Sequence, residues 1–94
     1  MVQPSRLAIG RVYFSLAYED DDLIRPIVHS YEYLGVGIDE SSRTPEGNLY
    51  VFRFIGSDDR LDLKEHQLNH VILDVPGLAE KLKQWATTQT ARSR

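Results

Sequence analysis

The sequence lacks cysteine altogether and has one methionine and one tryptophan among its 94 residues. Without cysteine the chain can form no disulfide, no thiolate nucleophile and no cysteine-ligated zinc site. None of its apolar runs approaches the roughly 20 residues that cross a bilayer, and the N-terminus lacks the charged start and long apolar core of a signal peptide. We therefore predict a cytoplasmic protein that makes no contact with the membrane.

An excess of basic residues is also missing. The chain has 11 lysine and arginine residues against 14 aspartate and glutamate residues, a net charge of −3. This balance argues against nucleic acid as a partner, because binding to phosphates needs positive charge. The length predicts one domain over residues 1–94, with an ordered core at 7–87 and tails at 1–5 and 88–94. A chain this short buries a modest share of its surface, so dimerisation would help to stabilise it.

The first part of the chain predicts a strand followed by a helix. Residues 7–18, LAIGRVYFSLAY, are rich in β-branched and aromatic residues and are apolar on both faces for part of their length, which favours a strand. In residues 23–34 the apolar side chains fall within an arc of roughly 140° on a helical wheel, which favours a helix. Asp21 or Asp22 would cap its start, and Gly35 would end it.

The remaining chain predicts strands and a final helix. The predicted strands lie at 36–40, 49–55, 61–66 and 69–75. The first two form a hairpin around a turn near Pro45, and the last, NHVILDV, groups branched apolar residues that favour a strand. Leu78, Leu82 and Trp85 predict a helix that starts near Pro76. The order β-α-β-β-β-β-α indicates a two-layer α+β fold, with a mostly antiparallel sheet of four to five strands and helices on one face.

Several sequence segments resemble the vicinal oxygen chelate family, which includes glyoxalases, ring-cleaving dioxygenases and bleomycin-resistance proteins. Members of this family are built from βαβββ modules. GRVYFSLAYEDDDLIRPIVHSYEYLGVGI is similar to the first strand, helix and second strand of such a module. GNLYVFRFIGSDDRLDLKEH is similar to its third and fourth strands, and LNHVILDVPGLAEKLKQW to the start of a following module. The likeness covers roughly residues 10–86.

The resemblance implies a metal site and a dimer. Family ligands lie on the first and fourth strands of paired modules, positions that correspond here to His70 and Glu65. Arg11 and Val12 stand where the family pattern would open the first module with histidine, and the second module stops after its helix. One chain therefore supplies two of four ligands, and a complete site would need two chains. Several members bind ligands without metal, so the resemblance supports dimerisation more than catalysis.

His66 and His70 form a second candidate metal pair, four residues apart. On a helix they would share one face about 6 Å apart, which suits a single ion. On a strand the same spacing is about 13 Å, which no single ion spans. Because HVIL favours a strand, we predict that these two histidines do not chelate one ion together. His29 is predicted to be an exposed surface residue.

Nine aromatic residues, five Tyr, three Phe and one Trp, are numerous for this length. We predict that Phe14, Phe52 and Phe54 line the core. The candidates for a ligand pocket or a dimer face are Tyr13, Tyr18, Tyr33 and Tyr50, since tyrosine tolerates one end in water.

No spacing in the chain predicts a complete catalytic set. We therefore expect a small, non-enzymatic homodimer that binds a small molecule or a protein partner and needs no cofactor. The alternative is a metal-dependent enzyme of the vicinal oxygen chelate type. It would use Glu65 and His70 to hold a divalent metal in a site shared between chains.

Overall fold

The computed structural model describes residues 3–19 and 24–92. Within them the strands are β1 (Val12–Tyr18), β2 (Pro26–Val36), β3 (Arg43–Thr44), β4 (Gly47–Asn48), β5 (Tyr50–Phe54) and β6 (Arg60–Leu63). The helices are α1 (Glu65–Val71) and α2 (Val75–Arg92), and short 3-10 turns lie at Pro4–Arg6 and Glu40–Ser42. The predicted α+β class and mostly antiparallel sheet are confirmed, but the order of the elements differs from the predicted one.

The main sheet has four antiparallel strands in the order β1-β2-β5-β6, and β3 and β4 form a separate two-stranded hairpin. The 11-residue β2 lies in the centre and pairs with β1 on one side and β5 on the other. Its register places Tyr31 opposite Tyr13, and Tyr33 opposite Phe52. Large aromatic side chains from three strands therefore meet on one face of the sheet.

The predicted helix at 23–34 is wrong, because Pro26–Val36 is a strand. Leu23 and the proposed caps Asp21 and Asp22 lie outside the described residues. Tyr31 and Tyr33 are buried and alternate with half-buried Ser30 and Glu32, which is the two-residue period of a strand. The βαβββ order that the family resemblance implies is therefore not the order observed.

The predicted strand at 69–75 is also wrong. After β6 the chain forms α1, whose Leu68 is fully buried, as is Ile72 four residues later. Gln67 accepts a hydrogen bond from the backbone N–H of Lys64 at 2.8 Å and so closes the start of the helix. The chain becomes extended at Ile72, and the backbone of the next residue, Leu73, exchanges hydrogen bonds with Phe14 along the outer edge of β1.

The hydrophobic core lies between the sheet and α1. Its buried members are Tyr13, Tyr31, Tyr33, Phe52, Leu63, Leu68 and Ile72. Three buried hydroxyls on this face are satisfied: Tyr31 and Ser15 share a hydrogen bond of 2.8 Å, and the Tyr13 hydroxyl accepts one from the Ala8 N–H at 2.9 Å. We call this the core face. It follows that the core face is covered by α1, a helix that was not predicted, whereas α2 lies beside β1.

The predicted C-terminal tail is helical, since α2 continues to Arg92. The hydroxyls of Thr87, Thr88 and Thr90 each donate to a carbonyl one turn earlier, at 2.9–3.0 Å. At the other end, the first strand begins at Val12 rather than at residue 7, and Leu7 packs against the core from outside the sheet. The predicted helix through Leu78, Leu82 and Trp85 is thus confirmed and longer than expected.

The predicted turn near Pro45 is confirmed, because it connects β3 to β4. The predicted strand at 36–40 is wrong: Val36 ends β2, and a 3-10 turn follows. Asp39 begins that turn by accepting a hydrogen bond from the Ser42 N–H at 3.1 Å. This segment leaves the plane of the sheet.

Candidate functional site

One half of the sheet face opposite the core is apolar and open. Val12, Phe14 and Leu16 alternate along β1 with buried Tyr13 and Ser15, so they lie on the opposite face. The apolar residues of β1 and β2 on this side form what we call the open patch: Val12, Phe14, Leu16, Tyr18, Pro26 and Val28. Val12 is 41% exposed and Val28 44% exposed. These exposures are high for valines that lie in regular strands.

The other half of this face, on β5 and β6, is closed. Here the segment after β2 returns over the sheet, and Val51 is fully buried. Asp39 of that segment pairs with Arg60 of β6 at 2.5 Å, and Arg60 also pairs with Asp62 at 2.9 Å. The Arg60 guanidinium, followed by the Ser42 hydroxyl, holds the pKa of Asp39 well below its usual range. Charged pairing therefore fastens this segment to the sheet.

A border of charged residues separates the two halves. Glu32 lies opposite Val12 in the register of β1 and β2, and its carboxylate pairs with Arg53 of β5 at 2.6 Å. Both signs of charge alternate along this border. The face thus has an apolar region next to a polar rim, the arrangement found at protein interfaces.

A groove lies where β1 meets α2. Its volume is about 430 Å³, and its lining includes Leu16, Tyr18, His70, Leu73, Lys81 and Trp85. The half-buried residues of α2 repeat as Leu78, Leu82 and Trp85, so one stripe of this helix faces the sheet edge while most of its surface is exposed. Aromatic rings, a cation and an imidazole converge in the groove, and Leu16 and Tyr18 connect it to the open patch.

Two of the four predicted site tyrosines lie in the core. Tyr13 is 2% exposed and Tyr33 5% exposed, and their rings meet edge to face at 6.4 Å. Burial raises the pKa of Tyr33, and the neighbouring Tyr50 and Tyr13 raise it further. These two side chains offer almost no accessible surface and pack against each other and against Phe52.

The other two tyrosines are half-buried and accessible. Tyr18 belongs to the open patch and lines the β1–α2 groove. Tyr50 borders a second groove, of about 630 Å³, together with Glu65 and His66. Its hydroxyl donates to the Glu65 carboxylate at 3.2 Å. Burial first, and then the charge of Glu65 and this hydrogen bond, raise the pKa of Tyr50.

The structure does not bring the predicted metal ligands Glu65 and His70 together. Both lie on α1, where a separation of five residues turns them about 140° apart. Glu65 points towards Tyr50, and His70 lines the β1–α2 groove. Among the described residues, no cluster of three or more histidine and acidic side chains could hold a metal ion. Metal binding by Glu65 with His70 stays a prediction.

His66 and His70 share one face, since the stretch that was expected to be a strand is α1. The separation of about 13 Å predicted for a strand therefore does not apply to this pair. His29, by contrast, lies on β2. Its side chain is exposed, as predicted, and its ring meets the Phe54 ring edge to face at 5.9 Å.

Val28 and Trp85 were not among the predicted site residues. The available signal for Val28 was its neighbour Ile27, because two adjacent apolar residues of a strand lie on opposite faces, which a strand with one solvated face does not need. Trp85 gave no such signal, because its spacing from Leu78 and Leu82 is that of any helix that packs on a sheet.

No known protein family, no curated protein and no solved structure matches this chain. None of the described helices combines the length and the apolar character that crossing a membrane requires.

Proposed function

We propose that this protein is a small homodimeric binding module, and that two copies associate through the open patch. The observation that carries this proposal is the pair of exposed valines, Val12 and Val28, which flank half-buried Phe14 and Leu16 on the sheet face opposite the core. Burying apolar surface of this kind stabilises an association by about 25 cal/mol per Å² before the costs of ordering are subtracted.

The chain exposes more surface than its mass predicts, as expected if a second copy covers part of it. A folded monomer of 10.8 kDa exposes 6518 Å² here, whereas the general relation between size and surface predicts about 5,500 Å². The excess of about 1,000 Å² is similar to the roughly 800 Å² that each partner buries in a typical stable interface. The molecule is elongated, with principal extents of 52 × 25 × 24 Å, and most of the surface of α2 is exposed, so part of this excess belongs to α2 and part to the open patch.

A second copy fits this surface better than a strongly charged partner. The patch itself is apolar, and its border alternates Glu32 with Arg53 and Asp39 with Arg60. A two-fold axis places the same patch on both sides of the interface, so its apolar centre meets another apolar centre. Because the rim has charges of both signs, it does not repel a second copy as a rim of one sign would.

The test is a matched pair of charge insertions. Val28→Asp places a carboxylate in the open patch, whereas Val36→Asp places one at a residue of similar exposure, 44% against 46%, which borders the groove beside Tyr50 and lies outside the patch. We expect Val28→Asp to weaken the dimer by at least about tenfold, because an unpaired charge would be buried in the contact. Val36→Asp should leave the dimer constant unchanged in sedimentation equilibrium.

Two results would refute the dimer. One is a wild-type chain that sediments as a monomer at micromolar concentration and above. The other is equal dissociation by both variants, which would place the contact elsewhere or show a general loss of folding. Circular dichroism of each variant distinguishes these causes, because a folded Val28→Asp monomer keeps the wild-type spectrum.

A small molecule in the β1–α2 groove is the second part of the proposed function. The volume of about 430 Å³ lies within the roughly 300–1,000 Å³ of known ligand sites. Trp85, which is the only tryptophan of the chain, lines this groove and provides a direct signal. Binding of an aromatic compound there should change Trp85 fluorescence, and Tyr18→Ala should weaken it. An unchanged response in Tyr18→Ala would remove the groove from consideration.

The alternative, a metal-dependent enzyme of the vicinal oxygen chelate type, requires Glu65 and His70 to contribute to one site shared between chains. Within a single chain the two point in different directions and Glu65 is hydrogen-bonded to Tyr50. A wild-type chain that binds a metal and converts substrates with adjacent oxygens would favour this enzyme over the binding module, provided that Glu65→Gln loses both the metal and the activity.

A further inference from the structure

We infer that His66 and His70 together bind one divalent transition-metal ion on the exposed side of α1. Imidazole nitrogen is a ligand that zinc, nickel and copper favour. Four residues on a helix bring two side chains to neighbouring positions on one face, about 5–6 Å apart at Cβ. The pair lies on a helix whose residues 65–71 are all helical, so this geometry applies to both histidines.

Leu68 determines where the pair points. This residue lies midway between the two histidines and is fully buried in the core. At about 100° per residue, His66 and His70 fall about 160° from Leu68, one on each side of the direction opposite to it. Both are exposed, as this geometry requires. The core therefore turns the two imidazoles outward together.

Neighbouring side chains leave the site with two protein ligands. Glu65 lies on the core side of α1 and is engaged by the Tyr50 hydroxyl at 3.2 Å. His66 borders the groove beside Tyr50, and His70 borders the β1–α2 groove. Because both side chains are exposed, they can rotate towards a shared ion without losing buried contacts. Water or a ligand atom would complete the coordination of the ion.

The test titrates Ni²⁺ or Zn²⁺ into the tag-free chain and follows binding by calorimetry and by the ring signals of the histidines in NMR spectra. We expect one ion per chain, with simultaneous changes at His66 and His70 and none at His29. Either His66→Ala or His70→Ala should weaken binding at least about tenfold, since even losing an outer-shell partner costs a metal site 10–100-fold. His29→Ala is the matched control and should bind as the wild type does.

The helical spacing can be tested by moving one ligand. Asn69→His added to His70→Ala creates a pair three residues apart, which shares a helix face, and should restore most of the affinity. The same Asn69→His added to His66→Ala leaves adjacent histidines that do not face each other, and should restore none. Asn69 is exposed, so the substitution removes no core contact.

Three results would overturn the inference: no binding by the wild type, equal binding by the double variant His66→Ala/His70→Ala, or equal rescue in both Asn69→His backgrounds. The result is independent of the proposed dimer, because monomeric Val28→Asp should bind the metal as tightly as the wild type. Acidification should release the ion, since only neutral imidazole binds metal.

Discussion

The two faces of β1 differ in burial, but in the opposite sense to their hydrophobicity. On the core face the strand presents Tyr13 and Ser15, both with hydroxyl groups, and both are buried. On the other face it presents Val12, Phe14 and Leu16, and these are exposed or half-buried. The more polar side of the strand is thus the more deeply covered one.

The covering element explains this difference. α1 brings Leu68 and Ile72 onto the core face, and the buried hydroxyls there find partners within the fold. The open patch has α2 along one edge only, and the segment that closes β5 and β6 does not reach β1. Burial in this protein is therefore decided by which helix packs where, and the uncovered apolar residues are the basis of the proposed dimer.

The largest expected effect comes from the same substitution made on each face. Phe52→Ala removes a fully buried ring from the core face and should lower the free energy of unfolding by about 3–5 kcal/mol. Phe14→Ala removes a half-buried ring from the open patch and should cost less than about 2 kcal/mol in the monomer. Urea denaturation of both variants in the Val28→Asp background measures this difference without the contribution of the dimer. Equal costs would contradict the distinction between the two faces.

A smaller effect is expected from the buried hydroxyl pair. Tyr31→Phe leaves the Ser15 hydroxyl buried without its 2.8 Å partner and should cost about 1–3 kcal/mol. Adding Ser15→Ala removes the second hydroxyl, so the double variant should be less destabilised than the sum of the single ones. Tyr18→Phe, on the open patch, is the control and should cost less than about 0.5 kcal/mol. An additive double variant would show that the hydroxyls do not interact.

The smallest effect concerns the charged pairing that closes β5 and β6. Arg60 lowers the pKa of Asp39 in the folded state, so ionised Asp39 stabilises the fold at neutral pH. That contribution is present above the unfolded value of about 3.9 and is lost as the pH falls further towards the folded pKa. Asp39→Asn should therefore lower the melting temperature slightly at pH 7, and the difference from the wild type should shrink in acid.

Asparagine keeps an acceptor oxygen for Ser42, so this variant tests the charge rather than the turn. Asp58→Asn is an exposed control on the loop between β5 and β6 and should show no such trend. High salt should reduce the Asp39 effect at pH 7, because exposed ion pairs are screened. A difference that persists unchanged in acid would mean that the carboxylate charge is not its cause.

Much of the strand content could be predicted from the sequence, and one central strand could not. Residues 50–54 and the helix through Leu78, Leu82 and Trp85 have unambiguous periodicity, and both are confirmed. In Pro26–Val36, by contrast, Ile27, Val28, Tyr31 and Leu34 fit a helical stripe as well as a sheet. The alternation of Tyr31 and Tyr33 with Ser30 and Glu32 was the better signal, because tyrosine can be a core residue.

The candidate site was less predictable than the fold. Tyr18 and Tyr50 are accessible, but Tyr13 and Tyr33 differ from them only in what packs over them. The spacing of His66 and His70 is visible in the sequence, but the distance between their side chains depends on whether the segment is a helix or a strand. Leu68, Val71 and Ile72 have helical spacing, which was a better signal here than the β-branched residues that favour a strand.

The sequence by itself determined the α+β class, the absence of cysteine chemistry, the turn near Pro45 and the amphipathic α2, because these depend on composition and on interactions between near neighbours. Only the tertiary structure decided that Pro26–Val36 is a strand and that Glu65–Val71 is a helix. The former depends on hydrogen bonds to β1 and β5, and the latter on the place that the core offers to Leu68 and Ile72. Such contacts join residues far apart in the chain, and they override a local preference whenever the energy of packing exceeds it.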